Sequence, residues 1–218
     1  MKTSLQHVPL LLSRDSHSNP ERIGHYLSTH SSTTITALGN PKILNEKLLA
    51  LFCSVKCPGK LILETYDLAQ RLKQERVAVI GGFHSPMERE CLEILLRGTA
   101  PVIMSPARSI AKIQMRPECR EPLENGRLLF LSPFADKQRR ATQENAMARN
   151  RFVAALADAV FIAYAAPAGK IEDFCREVLE LGKQVYTFDA PENAHLGAIG
   201  VTPVAPGFFM HQLRNLGF

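Results

Sequence analysis

The chain has 218 residues, of which 45% are apolar and 22% charged, so it can build a core of its own and is not a disordered or low-complexity polypeptide. The formal net charge of +5 is mild: it admits anionic ligands without demanding them, and it sets aside the densely basic class of proteins. No apolar stretch is long enough to span a bilayer, which sets aside an integral membrane protein built of helices.

Residues 1–32 are rich in Ser, His and Thr and are expected as a partly irregular extension with one short helix, Glu21 to Leu27. The apolar run Val8 to Leu12 is broken by Pro9. It is too short for a secretory core and has no cleavage pattern after it, so a cytoplasmic protein is expected. From Thr33 to about residue 205 apolar runs alternate with amphipathic segments. The runs are Thr34 to Leu38, Leu48 to Cys53, Val77 to Ile80, Pro101 to Met104, Leu128 to Leu131, Val160 to Tyr164 and Gln184 to Phe188. Most are continuous, as in strands covered on both faces.

Helices are expected between them. Leu61 to Lys73 gathers Leu61, Leu68 and Leu72 on one face. Pro86 to Arg97 starts with a capping serine, Ser85, a proline in the first turn and Glu88 three residues after the cap. Lys170 to Leu181 ends at Gly182. The alternation predicts an α/β, Rossmann-like, doubly wound and mostly parallel sheet with helices on both faces, over 33–205. Residues 206–218 are expected as a C-terminal tail. Its Pro206-Gly207-Phe208-Phe209-Met210 run either closes the core or forms a contact surface between copies, and a homodimer is expected.

In such sheets ligands bind beyond the carboxyl ends of the strands. Five endings here are small or polar, and they supply the candidate ligand-binding residues: Ser54, Lys56 and Gly59; Gly81, Gly82, Phe83, His84 and Ser85; Arg108; Ser132; and Gly169 with Lys170. The double glycine followed by a capped helix suits a phosphate, because backbone N–H groups can approach it closely. Lys56, Arg108 and Lys170 on neighbouring loops add charge. Phe83 is expected either to stack on a base or to plug the core, and His84 to serve as a turn or ligand contact rather than a catalyst. No catalytic residue is assigned.

Asp136 to Arg151 carries five cations against two acids. Arg139 and Arg140 read as a solvated helix face. Arg149, Asn150 and Arg151 stand close before the Leu156 to Ala163 segment and are expected at the same rim. The five cysteines, Cys53, Cys57, Cys91, Cys119 and Cys175, are odd in number and lie in apolar segments. A reducing compartment is expected. The Cys-x3-Cys pair of Cys53 and Cys57 has no partner pair to complete a zinc site, so no metal or cofactor is expected. Fingerprints for nicotinamide dinucleotides, P-loop nucleotides and a serine nucleophile elbow are absent.

The run Arg149-Asn150-Arg151-Phe152-Val153-Ala154-Ala155-Leu156-Ala157-Asp158-Ala159-Val160, with Thr36-Ala37-Leu38-Gly39-Asn40-Pro41 and Val79-Ile80-Gly81-Gly82, resembles the DNA-processing protein A (Smf) family over residues 34 to 190. The resemblance implies the Rossmann-like fold, single-stranded DNA as partner, and a role in recombination and DNA uptake. The family's Gly-Ser-Arg loop is replaced here by Cys53-Ser54-Val55-Lys56. Ala166-Pro167-Ala168-Gly169-Lys170-Ile171-Glu172-Asp173 stands where the lysine decarboxylase-like phosphoribohydrolases carry a glycine-rich loop and a catalytic glutamate. That second resemblance implies the alternative, a nucleotide monophosphate as ligand, with Glu172 or Asp173 as acid or base.

Overall fold

The computed structural model describes residues 9–14, 16, 19–30, 34–75, 77–205 and 207–218. Val8 of the expected apolar run, Thr33 and Pro206 lie outside the described residues.

Nine strands form one sheet among the described residues: β1 (Leu10–Ser13), β2 (Thr34–Gly39), β3 (Leu48–Cys53), β4 (Ala78–Gly81), β5 (Val102–Met104), β6 (Leu128–Ser132), β7 (Ala159–Tyr164), β8 (Gln184–Phe188) and β9 (Thr202–Val204). Their order is β1-β2-β6-β5-β4-β3-β7-β8-β9. From β6 to β9 every pairing is parallel, while β1 with β2 and β2 with β6 are antiparallel. The α/β, mostly parallel, doubly wound expectation is met. The chain winds outward from β3 to β6 on one side and from β7 to β9 on the other. The strand order therefore reverses between β3 and β7, which defines the switch point.

The helices are α1 (Glu21–Thr29), α2 (Gly59–Leu72), α3 (Pro86–Leu96), α4 (Pro117–Glu124), α5 (Gln143–Leu156), α6 (Lys170–Glu180), the single turn α7 (Ala194–Gly197) and α8 (Phe209–Asn215). They cover both faces because successive strand residues point to opposite sides. Leu49, Leu51 and Cys53 of β3 join a core with residues of α2, α3, α4 and α8. Leu48, Ala50 and Phe52 join the other with residues of α1, α5, α6 and α7. α3 starts as the sequence specifies: Ser85 and Glu88 form a reciprocal capping box. Gly182, with φ of +71°, follows α6 in the left-handed region that ends helices.

The segment expected as an extension contributes β1 and α1. Ile23 and Leu27 of α1 are buried in the second core. The tail contributes α8, whose Phe209, Met210 and Leu213 close the first core, while Phe208 is exposed. Among the described residues no helix is long and apolar enough to cross a membrane.

Candidate functional site

The exits of β3 and β7 are joined at the switch point. Ser54 donates its backbone N–H to Tyr164 O at 2.8 Å, and its hydroxyl accepts from Ala166 N at 3.0 Å. A bulge between Phe52 and Cys53 shifts the register there, next to the rim. Lys56 is exposed beyond it, and Gly59 opens α2. Across the crevice, Ala168 takes φ of +53° and Lys170 begins α6 in solvent.

The exit of β4 is organised from below. Phe83 takes φ of +49°, rare for a bulky side chain, and its ring is 3% exposed. It lies under Gly81, where a Cβ would stand 3.2 Å from the ring, so Phe83 plugs the core and presents nothing for a base to stack on. Glu88 braces the turn: Oε1 accepts from Cys53 N at 3.0 Å, and Oε2 accepts from His84 N at 2.7 Å and Ser85 N at 3.3 Å. Ser85 is buried, its oxygen accepting from Glu88 N as the cap of α3, whereas His84 stands in solvent.

Arg149, on α5, enters this turn from the other face of the sheet. Its guanidinium occupies the space that a side chain at Gly82 would need. Nη1 donates to Ser105 O at 3.0 Å, Nε donates to Asn150 Oδ1 at 2.8 Å, and Nη2 has no protein partner among the described residues. Arg149 and Asn150 are both buried. Burial pushes the Arg149 guanidinium below its ordinary range, and the charge of Glu88 opposes this. A guanidinium nonetheless keeps its proton at neutral pH, so a positive charge sits beneath the double glycine.

Arg151 does not join this group. Residues two apart on a helix point roughly 200° from one another, so the burial of Arg149 turns Arg151 outward. It makes a two-pronged bond to Glu177, at 2.7 and 2.9 Å. There it lines a cleft of about 1230 Å³ between α1, α5 and α6, beside Asp158 just before β7, away from the carboxyl ends. The expectation that all the cations converge in one mouth is corrected at this residue. Ser132 is also turned inward: its hydroxyl donates to Arg108 O and accepts from Phe134 N, which leaves it a structural brace.

The rim carries cations that the sequence pattern had placed elsewhere. Residues 136–142 are loop, not helix, so Lys137, Arg139 and Arg140 stand beyond the end of β6 rather than along a helix face. Ser109 fastens this loop to the one after β5, its N–H donating to Gln138 O at 2.8 Å. Lys112 is exposed on that second loop. Among the described residues, Lys56, Arg108, Lys112, Lys137, Arg139, Arg140 and Lys170 form no ion pair. Asp136 is the neighbouring acid. Glu88 and Ser105 were missed as organisers of the site. Glu88 was visible only as a capping residue and Ser105 only as a polar residue at a strand ending; the part of Ser105 here is played by its backbone carbonyl, which no side-chain pattern marks.

The loop after β7 is pinned by Glu172. Its Oε2 accepts from Ala168 N at 2.8 Å, and its Oε1 accepts from Arg176 at 2.7 Å. Both oxygens are thus engaged in holding the turn. Asp173 is exposed in the first turn of α6. Among the described residues no group of three or more His, Cys, Asp or Glu could hold a metal ion.

No curated protein matches the chain. Among solved structures it is similar to DNA processing protein A from Helicobacter pylori, a structure that concerns that protein's single-stranded DNA binding mode. The two share 18% identity over 96% of this chain and 97% of that one, with a TM-score of 0.76. DNA processing protein A from Streptococcus pneumoniae shares 16% identity over 90% of this chain and 71% of that one, with a TM-score of 0.73. The molybdenum cofactor binding protein from Rippkaea orientalis is more distant, at 10% identity over 79% and 98% and a TM-score of 0.58. These likenesses establish the fold. The family model for DNA recombination-mediator protein A matches residues 11–198, from β1 through α7, and so takes in every rim loop described above. A match over that much of the chain, on a sheet whose switch point, double glycine and buried arginine are all in place, makes this protein a member of the DNA recombination-mediator protein A family.

Proposed function

We propose that this recombination-mediator protein binds single-stranded DNA along the carboxyl rim of its parallel strands. The observation that carries this reading is the row of exposed, unpaired cations on adjacent loops, Lys56, Arg108, Lys112, Lys137, Arg139, Arg140 and Lys170, backed by Arg149 under Gly82. A flexible polyanion can lie across several such loops, each cation meeting one phosphate. At the centre, the expected close approach of a phosphate to the double glycine is corrected: Gly81 and Gly82 are buried, their side-chain space is filled by Phe83 and Arg149, and the N–H groups of His84 and Ser85 are taken by Glu88, so the turn lodges a guanidinium and the strand is held by the exposed cations around it. Of the two carboxylates that the alternative reading would use, Glu172 is pinned in the β7 loop, which leaves Asp173, exposed in the first turn of α6, as its acid or base. In the same reading the protein works in the cytoplasm as a homodimer, which doubles the track offered to one DNA strand.

The test is anisotropy of a labelled oligodeoxythymidylate titrated with the protein at several salt concentrations. Affinity should fall linearly in log–log form as salt rises, and nucleoside monophosphates should compete weakly. No binding at low salt, or full competition by a monophosphate, overturns the reading.

A further inference from the structure

The rim cations meet phosphates, but the bases of a bound strand find no partner among them. Phe83 is buried beneath Gly81, and Tyr164 packs against the core. Exposed apolar side chains are nonetheless concentrated beside the rim. Val55, next to Lys56 in the loop after β3, is 68% exposed, and Ile62, Leu63 and Tyr66 of α2 are 41%, 69% and 44% exposed. Ile62 and Leu63 precede Tyr66 at the helical i,i+4 and i,i+3 spacings, so the three side chains are neighbours on the surface and form one patch. α2 begins at the carboxyl rim because it follows the exit of β3. Gly59 stands one turn before Leu63 on the same face, and nothing lies within 4 Å of where its side chain would be, so the approach from the rim is open. Tyr66 lies roughly 10 Å down the helix from Gly59.

We propose that this face of α2 is a platform for the bases of the single strand whose phosphates lie on the rim, with Tyr66 stacking on a base and Ile62 and Leu63 packing around it. The platform rests on the proposed DNA reading and names the part of the strand that reading leaves unheld. Its position selects the occupant. The apolar face continues the cation row, since α2 follows directly on the loop that carries Val55 and Lys56. The same helix carries Glu64 and Asp67, and its Lys60 lies 3.9 Å from Glu64. These acids repel phosphates, so the backbone keeps to the loops and the uncharged bases lean over α2. Four side chains are too few for a contact between copies, which draws about 20 residues from each side in a stable interface. Among the described residues the exposed tyrosine and phenylalanine side chains are Tyr66 and Phe208. Phe208 sits against His211, beside Gly207, whose carbonyl accepts from Arg71 in the last turn of α2, at the end away from the rim. A duplex keeps its bases stacked inside, so a platform of this kind favours single strands, whose bases have free faces.

The test compares, on the full-length protein, a labelled oligodeoxythymidylate with an abasic deoxyribose-phosphate oligomer of equal length, which keeps the phosphates and has no bases. Wild-type protein should bind the oligothymidylate about tenfold more tightly than the abasic oligomer. Tyr66→Ala should remove most of that difference and leave the salt slope unchanged, because no phosphate contact is lost. Leu63→Ala should remove part of it, and Tyr66→Phe should keep it. The chain has no tryptophan, so Tyr66→Trp supplies a single reporter, whose emission should be quenched at saturation by the oligothymidylate and not by the abasic oligomer. Full discrimination against the abasic oligomer in both Tyr66→Ala and Leu63→Ala overturns the platform and leaves the rim cations standing. So does an unquenched tryptophan in a protein that binds. An altered sedimentation coefficient of Tyr66→Ala with unaltered oligothymidylate affinity assigns the patch to a contact between copies and likewise overturns it. A wild-type protein that binds neither oligomer at low salt removes the DNA reading itself, and the platform with it.

Discussion

The guanidinium of Arg149 fills the side-chain space of Gly82 and is held there by Ser105 O, so a residue on α5 completes the turn after β4 from across the sheet. The turn can keep a buried cation beneath two glycines only because position 82 has no Cβ.

Gly82→Ala should therefore displace the Arg149 side chain. Overpacking of this kind costs about 1–3 kcal/mol. Arg149→Ala should cost about 2 kcal/mol through its lost charged hydrogen bonds. The two effects should not add, because removing the guanidinium makes room for the methyl group. The double variant should fall short of the sum by roughly 1 kcal/mol or more in urea unfolding.

The rim cations should differ from the cations behind them. Ala substitution of Lys56, Arg108, Arg139 or Lys170 should weaken oligonucleotide binding and lower the salt slope by about 0.7 for each phosphate no longer neutralised. Arg151→Ala should leave the slope unchanged, since its guanidinium is paired with Glu177 on another surface. Anisotropy titrations across salt concentrations distinguish these outcomes.

Glu88→Gln should destabilise the whole rim. The carboxylate accepts three backbone N–H groups in a buried setting, and an amide would turn its NH₂ toward at least one of those donors. A cost of about 2–4 kcal/mol is expected. It should be read as a lower urea midpoint with an unchanged m-value.

Acid sensitivity should trace in part to Glu172. The Ala168 N–H, and next Arg176, hold its carboxyl below the usual carboxylate range, against the effect of burial. Its folded pKa thus lies below the unfolded value of about 4.3. The carboxylate's contribution to stability is complete above that unfolded value and is lost as pH falls through the folded one. Glu172→Gln should lower Tm at neutral pH, by about 1 kcal/mol in stability, and flatten the loss of Tm on acidification. Melting curves from about pH 3 to about pH 7 check both effects.

Much of the sheet was legible because its strands are covered on both faces. Leu48 to Cys53 and Val160 to Tyr164 read as unbroken apolar runs, and β3 and β7 occupy nearly those bounds. α3 was legible from Ser85, Pro86 and Glu88 because a capping box is a local bond pattern. The edges were not. β1 is four residues with two exposed leucines, and β9 is three residues containing Pro203, so neither offers a periodicity to read. Phe83 and the Arg139–Arg140 pair were misjudged or left open for the same reason. Burial of a ring, and the change from helix to loop at 136–142, depend on what packs beneath them.

By itself, then, the chain determined which segments are strands and helices, that they wind as β-α-β units, and that polar, glycine-bearing turns follow the strands, because hydrophobic period and capping act over a few residues. Only the tertiary structure decided that Arg149 turns in while Arg151 turns out, and that Glu88 joins two exits. Each of these is a contact whose energy depends on neighbours from another element, and no local pattern records which neighbours will be there.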